Sequence, residues 1–417
     1  MKKTVQRFPH GIVTAPPSKS ILHRAVIGAA LAGCDFDISP VSDDIDTTIS
    51  CMKALLADPQ EPHEDGDNTI FINCSESGST LRFLIPIALA LHSGSKVSEA
   101  PLISFIGRGR LLERPMGPLL DELERNGALI WKKADSITVS GVLKAGVYEL
   151  PGNISSQFIT GLLFALPTLA GDSRIHLTSP LESAGYVDLT LDELAKSGIK
   201  IDRDGDDYII AGKQKYKPRE VAAEGDYSQA AFFLVAAALG RDVACAGLSL
   251  DSKQGDKQIL DILQDAGFEI EISKHLRVRP CASQTSRRTV QPSPVEIDVS
   301  GIPDLVPPLA ALLCLANGTS RLYNAGRLRM KESDRLEAVA TELNNLGADI
   351  EINGDELIIN GVQSLRGGAV DARGDHRIAM MAAVAAIRSV GTVTINGADC
   401  VSKSYPNFWT DFEVRTV

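Results

Sequence analysis

Nowhere in this 417-residue chain does an apolar run reach the length of a membrane span, so no transmembrane helix is expected. The opening Met1-Lys2-Lys3 leads into Thr4-Val5-Gln6-Arg7, which is not the apolar core of a secretory leader. A cytoplasmic location is the expectation. Positive charge is in short supply: 42 basic side chains stand against 53 acidic ones, for a net charge of −11. Nucleic acid and membranes are therefore not expected as partners. Cysteine is sparse as well. There are seven, an odd number without metal-ligand spacing. Reduced thiols are expected, with no disulfide framework and no metal.

What is present is an ordinary globular balance, 44% hydrophobic and 23% charged, over a length suited to two or three domains. Within it one pattern recurs six times. A short polar opening runs straight into an apolar stretch: Ser18-Lys19-Ser20 with Arg24, Ser79 to Arg82, Ser155-Ser156-Gln157, Ser228-Gln229, Asp304, and Asp375-His376-Arg377. Successive openings lie 59 to 76 residues apart, a period that means repeated supersecondary units. The apolar stretches are hydrophobic all round and predict buried helices. Between them lie amphipathic helices such as Met116 to Asn126 and Arg335 to Leu346, each stopped by a glycine and followed by alternating strand residues. Asp35 to Val41 also reads as a strand. The repeat is thus strand, buried helix, strand, amphipathic helix, then one or two strands.

Three repeats fit before about residue 224 and three after it. The expected architecture is α/β, with two similar lobes of three βαβαββ units each, helices inside and sheets outside. One lobe spans 15–224. The other joins 1–14 to 225–417, and the active site is expected in the cleft between them. Lys215 to Ala223 is a candidate hinge, and Pro280 to Pro294 a candidate exposed loop.

The cations decide what such repeats are for. An isolated arginine is ordinarily a surface ion pair. Arg24, Arg82 and Arg377 instead sit in the first turns of helices that should be buried, where an unpaired charge costs several kcal/mol. They need anionic partners. Arginine forks grip carboxylate and phosphate, and helix N-termini add backbone N–H donors. The ligand class implied is a small, multiply anionic molecule.

Ser18-Lys19-Ser20 with Arg24, Glu76-Ser77-Gly78-Ser79-Thr80-Leu81-Arg82, Glu113-Arg114-Pro115, Ser155-Ser156-Gln157, Lys331-Glu332-Ser333-Asp334-Arg335, Asp375-His376-Arg377 and Lys403-Ser404-Tyr405-Pro406 together resemble the EPSP synthase family, 3-phosphoshikimate 1-carboxyvinyltransferases. The motifs stand in the family's order and span nearly the whole chain. The resemblance implies transfer of the enolpyruvyl group of phosphoenolpyruvate to the 5-hydroxyl of shikimate 3-phosphate, with release of phosphate, in aromatic amino acid biosynthesis. It implies that Lys19, Gly78, Arg114, Gln157, Arg335, Arg377 and Lys403 meet phosphoenolpyruvate. Lys19, Ser20, Arg24, Ser155, Ser156, Gln157, Ser183, Tyr186, Asp304 and Lys331 are implied for shikimate 3-phosphate. Asp304, Glu332 and Lys19 are implied as catalytic, the two carboxyl groups moving protons. It further implies competition by glyphosate for the phosphoenolpyruvate site, no cofactor, and a monomer. Two positions depart from the commonest pattern: Glu76, where many members have Asn, and Arg327, where some do. Two other readings stand beside this one. The first is the related transfer to UDP-N-acetylglucosamine, whose family usually carries a cysteine in the loop equivalent to Ile106 to Pro115; none is present here. The second is a non-catalytic anion-binding repeat protein, which has no need of Asp304 and Glu332 beside the cations.

Overall fold

The computed structural model of the chain describes residues 1–57, 69–93, 100–281 and 291–413. Most of the loop expected between Pro280 and Pro294, with Ser283 to Ser286, lies outside the described residues. The chain divides into two compact units, Lys19–Ala223 and Met1–Ser18 with Glu224–Val417. The break falls a little beyond the expected position because Ala15 to Ser18 are held by the second of these. Ala15 N donates to the Ala246 carbonyl at 3.0 Å and Ser18 N to the Glu224 carbonyl at 2.7 Å.

In the Lys19–Ala223 unit the helices are α1 (Lys19–Leu31), α2 (Asp43–Leu56), α3 (Gly78–Leu91), α4 (Gly117–Arg125), α5 (Ser156–Ala165) and α6 (Ala184–Lys196). The other unit carries α7 (Tyr227–Ala238), α8 (Ile259–Asp265), α9 (Val306–Leu313), α10 (Arg335–Asn345), α11 (His376–Ala385) and α12 (Phe408–Phe412). The all-round apolar stretches are the interior helices: every residue of α7, α9 and α11 is buried. α3 and α5 pack closely enough that a methyl on Gly161 would stand 2.5 Å from the Arg82 carbonyl and 2.8 Å from Pro86 Cγ. Only glycine allows that approach. The amphipathic helices end as expected, with Gly127 at φ 103° after α4 and Gly347 at φ 100° after α10.

Four sheets repeat one order: two parallel strands come first, then two antiparallel strands, the later of them in the chain lying next to the parallel pair. In the first unit Ile70–Asn73, Ile103–Ile106, Ser136–Gly141 and Ala128–Lys132 lie side by side, as do Val147–Leu150, Ser173–Leu177, Asp207–Ile210 and Asp202–Asp204. In the second the same order runs Gly11–Thr14, Val243–Ala246, Leu276–Pro280, Phe268–Ile272, and again Glu296–Asp298, Thr319–Tyr323, Glu356–Asn360, Asp349–Asn353. A third sheet pairs Gly368–Asp371 with Val393–Asn396 and closes with the chain's own first strand, Lys2–Val5. A parallel pair needs a crossover, and a buried helix supplies it in every case but Gly11–Thr14 with Val243–Ala246, where the whole Lys19–Ala223 unit precedes α7 in the connection. Outer faces are wet: Phe71 is exposed while Ile72 beside it is buried.

The repeat that carries α1 and α2 departs from the pattern. Asp35 to Val41, expected as a strand, joins no ladder. Aspartates in and just beyond it satisfy its backbone instead: Asp35 Oδ1 accepts from Asp37 N at 3.0 Å, Asp37 Oδ1 from Ser39 N at 3.4 Å, and Asp46 Oδ1 of α2 from Val41 N at 3.0 Å. Short carboxylates compete with strand pairing in just this way.

Candidate active site

In the Lys19–Ala223 unit the predicted ligand residues sit at the first turns of α1, α3, α5 and α6. Lys19 opens α1, and its ammonium meets Asp44 Oδ2 of α2 at 2.7 Å. One turn on, Arg24 is 3% exposed. Its hydrogen-bond partners are all neutral: Thr190 Oγ1 at 2.8 Å, the Ser20 carbonyl at 2.5 Å, the Tyr186 carbonyl at 2.9 Å and Thr160 Oγ1 at 3.4 Å. Its guanidinium also lies 5.2 Å from the Phe83 ring centroid. Burial dominates and pulls its pKa down to about 10, against the raising influence of Tyr186 and Glu193. A cation so enclosed has no hydrogen-bonded carboxylate among the described residues to balance it.

The α3 opening is set by Ser77, whose Oγ accepts from Thr80 N at 3.3 Å. The helix therefore begins at Gly78, one residue before the expected Ser79. Gly78 underlies two cations. A methyl built on it would stand 2.5 Å from Arg114 Nη1 and 2.7 Å from Arg82 Nη1. Arg82 donates to Gln157 Oε1 at 2.8 Å, and Gln157 Nε2 donates to Ser79 Oγ at 2.9 Å, so α3 and α5 share one polar edge. Ser155 caps α5 by accepting from Gln157 N, at 3.3 Å. Ser156 is buried beside it. Ser183, also buried, stands in the left-handed region (φ 55°) before α6, which carries Tyr186.

The second unit gathers its predicted residues into one charged cluster. Arg335, 1% exposed, donates to Asp375 Oδ2 at 2.8 Å, Asp375 Oδ1 at 3.2 Å, Asp304 Oδ1 at 2.8 Å and Glu332 Oε2 at 2.6 Å. Burial opposes its charge, but the carboxylates of Asp375, Glu332 and Asp304 outweigh that and raise its pKa. The four bonds occupy four of the five guanidinium N–H donors. Arg335, expected on phosphoenolpyruvate, has one donor left for a ligand. Arg377 donates to Asp304 Oδ2 at 3.0 Å and Ser228 Oγ at 2.9 Å. Lys331 Nζ lies 3.4 Å from Asp304 Oδ1. Asp304 thus faces three cations. It sits in a 3-10 turn, Pro303–Leu305, ahead of α9. Lys403 donates to the carbonyl of Gly374 at 2.8 Å, one residue before Asp375. Asp226 and Asp334 cap α7 and α10.

Burial, foremost, lowers the Lys331 pKa to about 8; Asp304 and Glu332 pull it up, while Arg335 and Arg327 push it down. An anion bound beside this ammonium restores its proton. Binding near pH 8.5 is therefore expected to take up protons, fewer as pH falls toward 7. Calorimetry in buffers of differing ionisation enthalpy checks this. Lys331→Arg, charged throughout, is expected to abolish the uptake.

Sequence reasoning passed over Asp44, Asp375 as the deepest partner of Arg335, and the threonines around Arg24. In the sequence Asp375 stands out as a carboxylate at a helix opening, without its partner, and Asp44 lies in the acidic run Asp43-Asp44-Ile45-Asp46. Which cation each serves depends on packing between repeats.

A family model described as EPSP synthase (3-phosphoshikimate 1-carboxyvinyltransferase) matches residues 7–412. The 3-phosphoshikimate 1-carboxyvinyltransferase of Clostridium kluyveri is 44% identical over 418 residues, covering 96% of this chain and 94% of that protein. The enzyme of the same name from Clostridium acetobutylicum is 43% identical, covering 97% and 94%. Among solved structures, an EPSP synthase from Acinetobacter baumannii superposes with a TM-score of 0.73 at 23% identity, covering 98% of this chain and 97% of that one. The enolpyruvyl transferase NikO from Streptomyces tendae gives 0.71 at 17% identity, covering 99% and 96%. The two structures establish the fold, and the curated relatives and the family match establish that the chain belongs to the EPSP synthase family.

Proposed function

We propose that the protein transfers the enolpyruvyl group of phosphoenolpyruvate to the 5-hydroxyl of shikimate 3-phosphate and releases phosphate. The observation that carries this reading is the cluster around Asp304, where two carboxyl groups stand among buried cations in a chain of this family. The hydroxyl gives up its proton as its oxygen attacks C2 of phosphoenolpyruvate. The terminal CH2 takes a proton and becomes CH3. In the second step C2–O to phosphate breaks, the CH3 returns a proton, and the double bond reforms. Asp304 and Glu332 divide the base and acid roles. Arg24, with Ser155, Ser156, Gln157, Ser183 and Tyr186, supports the shikimate phosphate and ring hydroxyls. Arg114, Arg377, Lys403 and Lys19 support phosphoenolpyruvate, and their charge stabilises the departing phosphate.

Mass spectrometry of the product tests the reading against its nearest alternative. A carboxyvinyl adduct is expected with shikimate 3-phosphate and none with UDP-N-acetylglucosamine. The reverse result contradicts the proposal.

Gly78→Ala is expected to raise the Michaelis constant for phosphoenolpyruvate and to raise the glyphosate inhibition constant further. The added methyl must displace Arg114 and Arg82 guanidinium nitrogens at 2.5 and 2.7 Å. Overpacking of this kind costs ~1–3 kcal/mol, about a fivefold to hundredfold change. The longer inhibitor loses more in a narrowed pocket. Steady-state inhibition kinetics check this, and equal weakening of both ligands removes Gly78 from the role.

A further inference from the structure

A line of four buried side chains crosses the Lys19–Ala223 unit. His23 Nδ1 lies 2.7 Å from Thr48 Oγ1, Thr48 Oγ1 lies 2.6 Å from Thr80 Oγ1, and Thr80 Oγ1 donates to Ser77 Oγ at 2.6 Å. None of the four is more than 1% exposed. They come from α1, α2, α3 and the cap of α3, so the line ties together three helix openings of the site.

The line has a direction. A hydroxyl has one proton to give. Thr80 gives its proton to Ser77, so it accepts from Thr48 at 2.6 Å; the Asp44 carbonyl, 3.2 Å from Thr48 Oγ1, is the more distant of the two acceptors Thr48 could serve, and donation to either leaves it none for the ring. Thr48 then has no proton for the imidazole and must accept from it. The hydrogen of His23 is therefore on Nδ1, and Nε2 is bare. Nε2 has no hydrogen-bond partner among the described residues. The ring instead stands edge-on to Phe83, with centroids 6.2 Å apart. Burial first, and then the charges of Lys19 and Arg24, hold the imidazole neutral.

We infer that His23 is a positioning residue for the transfer proposed above: its Nδ1–H sets the proton order Thr48–Thr80–Ser77 and so fixes the first turn of α3. Ser77 Oγ, at the end of the line, also accepts the Thr80 backbone N–H that starts the helix. Gly78 follows directly, packed beneath Arg114 and Arg82. A shift of a few tenths of an ångström in this cap reaches both guanidinium groups. Nothing in this role needs His23 to touch a ligand.

The inference rests on the proposed reaction for its kinetic consequence but not for its proton assignment. Two measurements separate them. A long-range proton–nitrogen spectrum of the full-length protein, labelled at histidine, is expected to show His23 neutral and protonated on Nδ1. In kinetics, His23→Asn places an amide N–H close to the lost Nδ1–H and is expected to keep the Michaelis constant for phosphoenolpyruvate near that of the parent. His23→Leu leaves Thr48 without its donor and is expected to raise that constant about tenfold. In a Thr80→Val background, where the line is already cut, His23→Leu is expected to add little. A proton on Nε2 overturns the inference. So does a His23→Leu variant with parental kinetics, or an asparagine variant as impaired as the leucine one. If His23→Leu does not fold, the spectrum and the asparagine variant still decide. Failure of the parent to release phosphate from phosphoenolpyruvate refutes the proposed function and leaves the proton assignment to the spectrum.

Discussion

Glu332→Gln is expected to lower turnover by about 10²–10⁴-fold while leaving both substrate Michaelis constants close to those of the parent. The side chain is 21% exposed and its Oε2 meets Arg335 Nη2 at 2.6 Å. Glutamine keeps the size and an oxygen for Arg335, and it loses the negative charge and the ability to take and return a proton. Asp304→Asn is expected to lose turnover on a similar scale, with a further cost in binding. Asp304 is the common acceptor of Arg335, Arg377 and Lys331. Halving its acceptor capacity frees those cations to shift. A split between kcat and KM in steady-state kinetics therefore distinguishes the two carboxyl groups. Near-parental turnover in both variants removes proton transfer from this cluster.

Arg335→Met is expected to destabilise the unit that carries it by roughly 3–5 kcal/mol. The arginine is 1% exposed and Asp375 is 0% exposed. Removing the guanidinium leaves Asp375 as a buried charge without its main partner, and it weakens the hold on Asp304 and Glu332 as well. Arg329→Met is the control. Arg329 is 38% exposed, and its pairs with Asp334 and Asp355 are 3.6 Å long. Exposed pairs of that kind contribute ~0–1 kcal/mol. Denaturant unfolding of the two variants checks the contrast. A midpoint for Arg335→Met no lower than that of Arg329→Met contradicts the placement of Arg335 as the hub of the cluster.

The repeat could be read from the chain because its signal is local. A hydroxyl or carboxylate followed by about ten apolar residues marks a helix opening, and Ser155 and Asp375 cap helices as that rule requires; α7, expected to open at Ser228, is capped two residues earlier by Asp226, and Asp304 lies in a 3-10 turn ahead of α9 without capping it. The glycine stops after the amphipathic helices were legible for the same reason. Asp35 to Val41 was not, because its apolar residues alternate like a strand while its aspartates bind the adjacent backbone. The α3 opening offered three hydroxyls in Ser77, Ser79 and Thr80, and only the backbone shows that Ser77 is the cap. The site itself divides along the same line. That Arg24 and Arg377 need partners follows from their place in apolar helices. That Arg24 is ringed by neutral oxygens while Arg335 is saturated by carboxylates depends on contacts between repeats, Arg24 with Thr190 and Arg335 with Asp375. No spacing along the chain encodes those pairings.

The central claim is that this chain couples two anionic substrates and expels phosphate. The most direct measurement is phosphate release by the purified protein with phosphoenolpyruvate and shikimate 3-phosphate together, and with each alone. The account predicts steady release only when both are present, one phosphate for each shikimate 3-phosphate consumed. Release from either substrate alone at the same rate, or none from the pair, contradicts it.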